Sequence, residues 1–330
     1  MTVAHQWTNL SIMRMILKNP SFLAVMLVLV VVGASCSSNT EPDTADGIKI
    51  VATTTMLGDI AHNIVGDDGS VVVLLPVGAS PHDYQPSSSE VAAIYDAGLV
   101  LANGLHLEEG LIDVLSAALA DGVNVIEVAE RVEPVTFGDR EPCDDVENAS
   151  NHESAECDPH VWFDPDRDAA TALLIAESLT TVDADTPWED RAVSYGKELA
   201  EADAQIVALL GQISAANRLI VTNHDSFGYF AQRYGFEVIG TVIPGGSALS
   251  EPSSADLAAL VAVVDQTGVS AIFTETTEPT ELADAIAGEA DHPVEIVQLY
   301  TGSLGPTGSG ADTLIGMLLT NAERIADGLS

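Results

Sequence analysis

Positive charge is what this sequence has least of. Three lysines (Lys18, Lys49, Lys197) and eight arginines stand against 50 acidic residues, a formal charge of −39. Sequence-independent binding to a phosphate backbone needs clustered Lys and Arg to displace counterions, so nucleic acid is excluded as a partner. Aromatic residues are also few, 5% of the chain against 47% hydrophobic. Ala, Val, Leu and Ile must therefore build the interior, which suits aliphatic helices packed on a buried sheet. The early apolar run, residues 22–32, has 11 residues, well short of the ~20 that a membrane-spanning helix requires. The eight histidines include no local metal motif such as His-Glu-x-x-His.

The acid excess raises the cation concentration around the protein or serves solubility and salt adaptation; composition leaves both open. Arg14 and Lys18 precede the apolar run, and Gly33-Ala34-Ser35-Cys36 follows it. A charged start, a short apolar stretch and small residues predict an export signal over residues 1–35. Cys36 resembles the lipidated first residue of a bacterial lipoprotein, although Gly33 stands where that pattern usually has Leu. Translation from Met13 or Met15 would serve the signal equally well. Residues 36–47 are polar, contain Pro42 and lack periodicity, as a flexible tether does. The reading is of a chain exported to the cell surface or periplasm and held at a bacterial membrane.

From Ile48 short apolar segments alternate with helical patterns. Strands are predicted at 48–54, 71–75, 99–102 and 123–128, with helices at 56–65, 87–97 and 108–119; Ser87 and Glu90 form a capping box. This alternation argues for a parallel sheet covered on both faces, a first lobe spanning 48–185. An acidic stretch, 134–157, interrupts it and contains Cys143, His152 and Cys157. In an exported chain two cysteines 14 residues apart across a loop read as a disulfide, with metal-binding thiolates as the alternative. Cys36 is then the odd cysteine, which lipidation explains.

Helical patterns at 166–182 and 188–213 follow. The second, inside a linking segment 186–213, would be a strut of about 39 Å at 1.5 Å per residue. The alternation then restarts in a second lobe, 214–330. Its predicted strands are 219–222, 238–243, 271–274 and 294–299, and its helices 224–234, 253–266, 280–288 and 312–329. The fold class is α/β, with two similar lobes, each a mostly parallel sheet flanked by helices, joined by a single long rigid helix. Ligands of such sheets sit in the crevice at the carboxyl ends of the strands.

Three histidines stand at such places. In Asp158-Pro159-His160-Val161-Trp162-Phe163-Asp164-Pro165 the imidazole lies between two prolines that restrict the backbone, with a carboxylate on each side. His82 in Ser80-Pro81-His82-Asp83-Tyr84-Gln85-Pro86 follows a predicted strand, and His224 in Thr222-Asn223-His224-Asp225 follows another and opens a helix. Imidazole beside carboxylate is a common construction at metal sites. His62 and His292 read as solvated.

These three segments, in this order and with the strut between the second and third, closely resemble the zinc and manganese solute-binding lipoproteins of ABC import systems. The resemblance covers nearly the whole mature chain. It implies two lobes joined by a rigid helix, with a divalent metal ion between them held by His82 and His160 from the first lobe and His224 from the second. It also implies delivery to an ABC permease and ATPase complex by a membrane-anchored monomer that is not an enzyme. Many members add an aspartate where this chain has Gly302, so water, Glu275 or a loop residue remains for the fourth position. Zinc-binding relatives often carry a histidine-rich loop where this chain has His152 alone among acids. Three imidazoles without that aspartate favour Zn(II) as cargo, with Mn(II) as the alternative. A zinc-dependent hydrolase would also use three histidines and an open position, with Asp83, Asp158 or Asp225 as base. An adhesive surface lipoprotein is the remaining alternative.

Overall fold

The first lobe is a four-stranded parallel sheet, and its order puts a switch in direction at its centre. The computed structural model describes residues 47–143 and 157–330. Strands β1 (Ile48–Ala52), β2 (Gly69–Val73), β3 (Leu99–Ala102) and β4 (Val125–Glu127) lie in the order β2-β1-β3-β4. All four residues of β3 are buried, as expected of parallel strands covered on both faces. The crossovers are α1 (Thr55–Val65), α2 (Ser88–Tyr95) and α3 (Ile112–Ala120). Thr54 caps α1, and Ser87 with Glu90 makes the reciprocal capping box at α2.

Two helices lead away from this lobe, α4 (Pro165–Thr180) and α5 (Trp188–Leu210). Asp164 caps α4 with Pro165 at its first position, where the missing N–H costs nothing. Helix α5 buries Trp188, Ala192, Tyr195, Leu199, Ala202, Ile206 and Leu210, a stripe at spacings of three and four along one face. Its 23 residues span about 34 Å. The strut is shorter than the pattern to 213 predicted, because the chain turns at Gly211.

The second lobe repeats the first. Strands β5 (Leu219–Thr222), β6 (Glu237–Thr241), β7 (Ala271–Glu275) and β8 (Glu295–Leu299) are parallel in the order β6-β5-β7-β8. Its helices are α6 (Gly228–Tyr234), α7 (Ser254–Thr267), α8 (Glu281–Glu289) and α9 (Leu314–Gly328). One continuous apolar core takes in Ile50 and Ile60 of the first lobe, Trp188 and Leu199 of the strut, and Phe227, Phe273 and Leu314 of the second. Separate clusters cover the outer faces, around Val51 and Val100 in one lobe and Val221 and Ile272 in the other. The lobes thus share an interior, and α5 lies in it.

Two helices start later than their sequence pattern predicts, for the same reason. The segment expected to open a helix at Glu108 is first a loop, because the buried Glu108 carboxylate turns back to accept from Thr53 Oγ1 (2.5 Å), Asn103 N (2.6 Å) and Gly104 N (3.1 Å). Gly104, Leu105 and His106 all have positive φ there. His224 does not open α6: the N–H of Asp225 donates to Gly245 O and that of Ser226 to His224 O, so helical bonding begins only at Gly228. His292 is not simply solvated either; it is half-buried and its Nε2 donates to Val269 O at 2.9 Å. Among the described residues no helix is long and apolar enough to cross a membrane. The proposed export signal, Cys36 and most of the tether, and His152, lie outside the described residues.

Candidate metal centre

Each of the three histidines sits on a loop whose backbone is fixed from several directions. His82 follows β2 on a loop pinned at Gly78, whose N–H donates to Ser303 Oγ of the second lobe at 2.8 Å. His160 precedes a single 3-10 turn, Val161–Phe163, that runs into the cap of α4. Pro159 O, just before it, accepts from Asn103 Nδ2 at 2.9 Å, and Phe163 stacks on Phe227 of the second lobe at 4.5 Å. His224 leaves the carboxyl end of β5, with its carbonyl accepting from Thr222 Oγ1 at 2.8 Å. In the second lobe β5 and β7 flank the switch in strand order, the position where ligands of such sheets bind.

The three rings converge. Their centroids are 5.7 Å (His82 and His160), 5.2 Å (His82 and His224) and 5.1 Å (His160 and His224) apart. One nitrogen of each lies within 4.8 Å of the others, in a group suited to a metal ion. His160 Nε2 and His224 Nε2 are 3.2 Å apart. Two imidazoles on one tetrahedral zinc, with Zn–N near 2.0–2.1 Å, bring their nitrogens to about 3.3 Å. All three side chains are buried, His82 at 4% exposure and the other two at 1%.

Behind each ring stands a carboxylate. His160 Nδ1 donates to Asp158 Oδ1 at 2.7 Å, Glu275 Oε1 is in close ion contact with His224 Nδ1 outside hydrogen-bond angles, and Glu109 Oε1 lies 3.7 Å from His82 Nδ1. An acceptor at Nδ1 fixes the tautomer that leaves Nε2 free to ligate. Burial, reinforced by the facing His224 and His82, holds His160 well below its ordinary pKa, so this imidazole is neutral. Burial also pulls His224 down, but the charge and hydrogen-bonding capacity of Glu275 outweigh it and the net shift is upward. For Glu275 burial is likewise overcome, by His224 and by the Thr301 hydroxyl at 2.5 Å, and the carboxyl is held at about 2. Burial raises Asp158 to about 7 against the opposing pull of Arg140.

Glu275 is therefore committed to the far nitrogen of His224 and to Thr301, and does not complete a coordination sphere opposite the rings. Gly302 packs on the loop that carries His82: a Cβ added there would stand 2.6 Å from Pro81 Cδ. A cleft of about 470 Å³ between the lobes reaches His82, with His106, Glu109 and Ser247 on its walls. Ser247 Oγ donates to Glu109 Oε1 across it at 2.6 Å. The described structure joins Cys143 and Cys157 in a disulfide directly before Asp158, so neither thiol is available as a metal ligand.

Sequence reading did not single out Glu109, Asn103 or Arg140. Only Arg140 carried a signal, as the one arginine of the chain's eight that falls in the acidic excursion; the partners of the other two are far along the chain.

Residues 50–328 match the family described as zinc-uptake complex component A, periplasmic. The zinc-binding protein TroA of Treponema pallidum is 31% identical over 87% of this chain and 90% of its own. The manganese-binding lipoprotein MntA of Halalkalibacterium halodurans is 28% identical over 94% and 98%. The solved structure of the periplasmic zinc-binding protein TroA superposes with a TM-score of 0.76 at 31% identity, covering 86% of this chain and 99% of that one.

Proposed function

The chain belongs to the zinc-uptake component A family of metal-binding ABC-importer proteins, and we propose that its cargo is Zn(II), captured by His82, His160 and His224. Proteins of this family bind the substrate of an ABC transporter and are not enzymes. The observation that carries the zinc reading is the donor set: three converging buried imidazoles, with Gly302 in place of a carboxylate. Neutral imidazole nitrogen suits zinc, whereas manganese prefers carboxylate and water oxygen. Water entering from the cleft at His82 supplies the fourth ligand in this reading. Signal removal before Cys36, lipidation of that cysteine and a flexible tether ending near residue 47 keep the protein, as a monomer, beside its permease and ATPase.

The test is metal analysis of protein purified from its own host without added metal. Zinc near one equivalent, with manganese a trace, is the expected result. Manganese as the dominant ion would overturn the zinc assignment while leaving the family standing.

A further inference from the structure

The acidic excursion after the first sheet has no part in the site as described so far, yet it touches both lobes directly behind the ligands. It leaves as residues 134–143 and returns at Cys157, paired antiparallel through Val135 with Pro142 and Thr136 with Cys157, and the disulfide staples its open end. Arg167 fixes its base by donating to Glu133 O at 2.9 and 3.2 Å. At its tip Arg140, itself at φ 58°, directs its guanidinium inward. Nη1 donates to Asp158 Oδ2 at 3.0 Å, and Nη2 to Asp225 Oδ1 at 2.7 Å. Asp158 is the carboxylate that holds His160, and Asp225 is the residue next to His224.

Space for this guanidinium exists because residue 228 is glycine: a Cβ there would stand 2.1 Å from Arg140 Cζ and 2.6 Å from Asp158 Oδ2. The second lobe meets the strap at two further points. The Tyr229 hydroxyl accepts from Val135 N at 3.1 Å and donates to Asp158 O at 2.7 Å, and Phe137 packs on Gly246.

We propose that this strap is a clamp between the lobes and that Arg140 is the positioning residue that sets how fast bound metal is released. The proposal rests on the three-histidine site and adds to it. Without Arg140, the Asp158 carboxyl group of the first lobe and that of Asp225 in the second lose the donor they share. With it, each is paired, and separating His224 from His160 requires breaking a charge-assisted bond in a largely buried setting. Loss of one partner of such a pair acts mainly on the off-rate. Arg140 touches no ligand nitrogen, so it acts through Asp158 and Asp225.

The experiment loads the full chain with zinc, mixes it with excess chelator and follows release by stopped flow. Equilibrium titration of the parent protein comes first, so that absence of a tight site is recognised as failure of the site and not of the clamp. Arg140→Met is expected to speed release about tenfold or more while changing the association rate less than about twofold. Arg140→Lys, which keeps one donor group, falls between. Asp225→Asn alone speeds release modestly; placed in the Arg140→Met background it adds little further, because the bond between the lobes is already gone. That lack of additivity separates a clamp from general damage, which a second substitution would worsen. Release from Arg140→Met at the parent rate, or faster release still from the double variant, would overturn the proposal.

Discussion

His160 and His224 bring two Nε2 atoms to 3.2 Å, a separation at which two lone pairs repel unless a proton or a cation lies between them. The opposite shifts of the two rings, His160 down and His224 up, make His224 the first of the two to take up a proton as pH falls in the absence of metal. Zinc must displace that proton, because a ligating imidazole is neutral. Zinc affinity should therefore be flat at high pH and fall about tenfold per unit as pH drops below the raised pKa of His224. Calorimetry from about pH 9 to about pH 6 reads this directly. Glu275→Gln, which removes the group that raises His224, should move the break to lower pH; a break that stays in place contradicts the assignment. Gly302 supports a second expectation. Because a side chain there meets Pro81, Gly302→Asp should displace the His82 loop and weaken zinc binding instead of supplying a fourth ligand. Tighter zinc binding by that variant would show that the loop yields and the carboxylate reaches the metal. The three histidines were legible in sequence because prolines and neighbouring acids mark His82 and His160, and a strand end marks His224. Asp158 was legible for the same reason. Glu275 was legible only as a candidate fourth ligand and not as the partner of His224, and Glu109 was not legible at all, since these contacts exist only once the sheets have formed.

At the scale of elements, capping and periodicity carried most of the information. The Ser87 and Glu90 box, the apolar stripe of α5 and the parallel strands all stand close to where local pattern puts them. Boundaries failed where a long-range bond overrode local preference, at Glu108 before α3 and at the turn after His224 before α6. The excursion was legible as an interruption but not as a clamp, because Arg140 meets Asp225 only across the lobes. Its disulfide closes a loop of sequence separation 14, and constraint of such a loop in the unfolded chain contributes about 3 kcal/mol. Replacing both Cys143 and Cys157 by Ser should lower the denaturant midpoint accordingly, with the unfolding slope altered little. An unchanged midpoint would show that the strap is held by its ion pairs and Tyr229 alone.

For the whole molecule, a deficit of positive charge turns out to be spent carefully. Arg167, Arg191, Arg218, Arg233 and Arg324 each donate to backbone carbonyls or buried-face carboxylates that join elements, and Arg140 joins the lobes. The acid excess is left mostly at the surface. Fold class and the two-lobe plan followed from the order of strands and helices. The inter-lobe bonds did not: Leu304 N to Thr55 Oγ1 at 2.9 Å and Leu314 N to Asp59 Oδ2 at 3.0 Å link residues at opposite ends of the chain. They, with the shared core around α5, hold the two halves of the site at fixed distance. Whether that site is the three-imidazole centre is tested most directly by calorimetric titration of the metal-free protein with zinc, beside His82→Ala, His160→Ala and His224→Ala variants shown to be folded by circular dichroism. The account predicts one tight site in the parent and its loss, by at least about a hundredfold in affinity, in each variant. Zinc binding by all three variants at the parent affinity would contradict it.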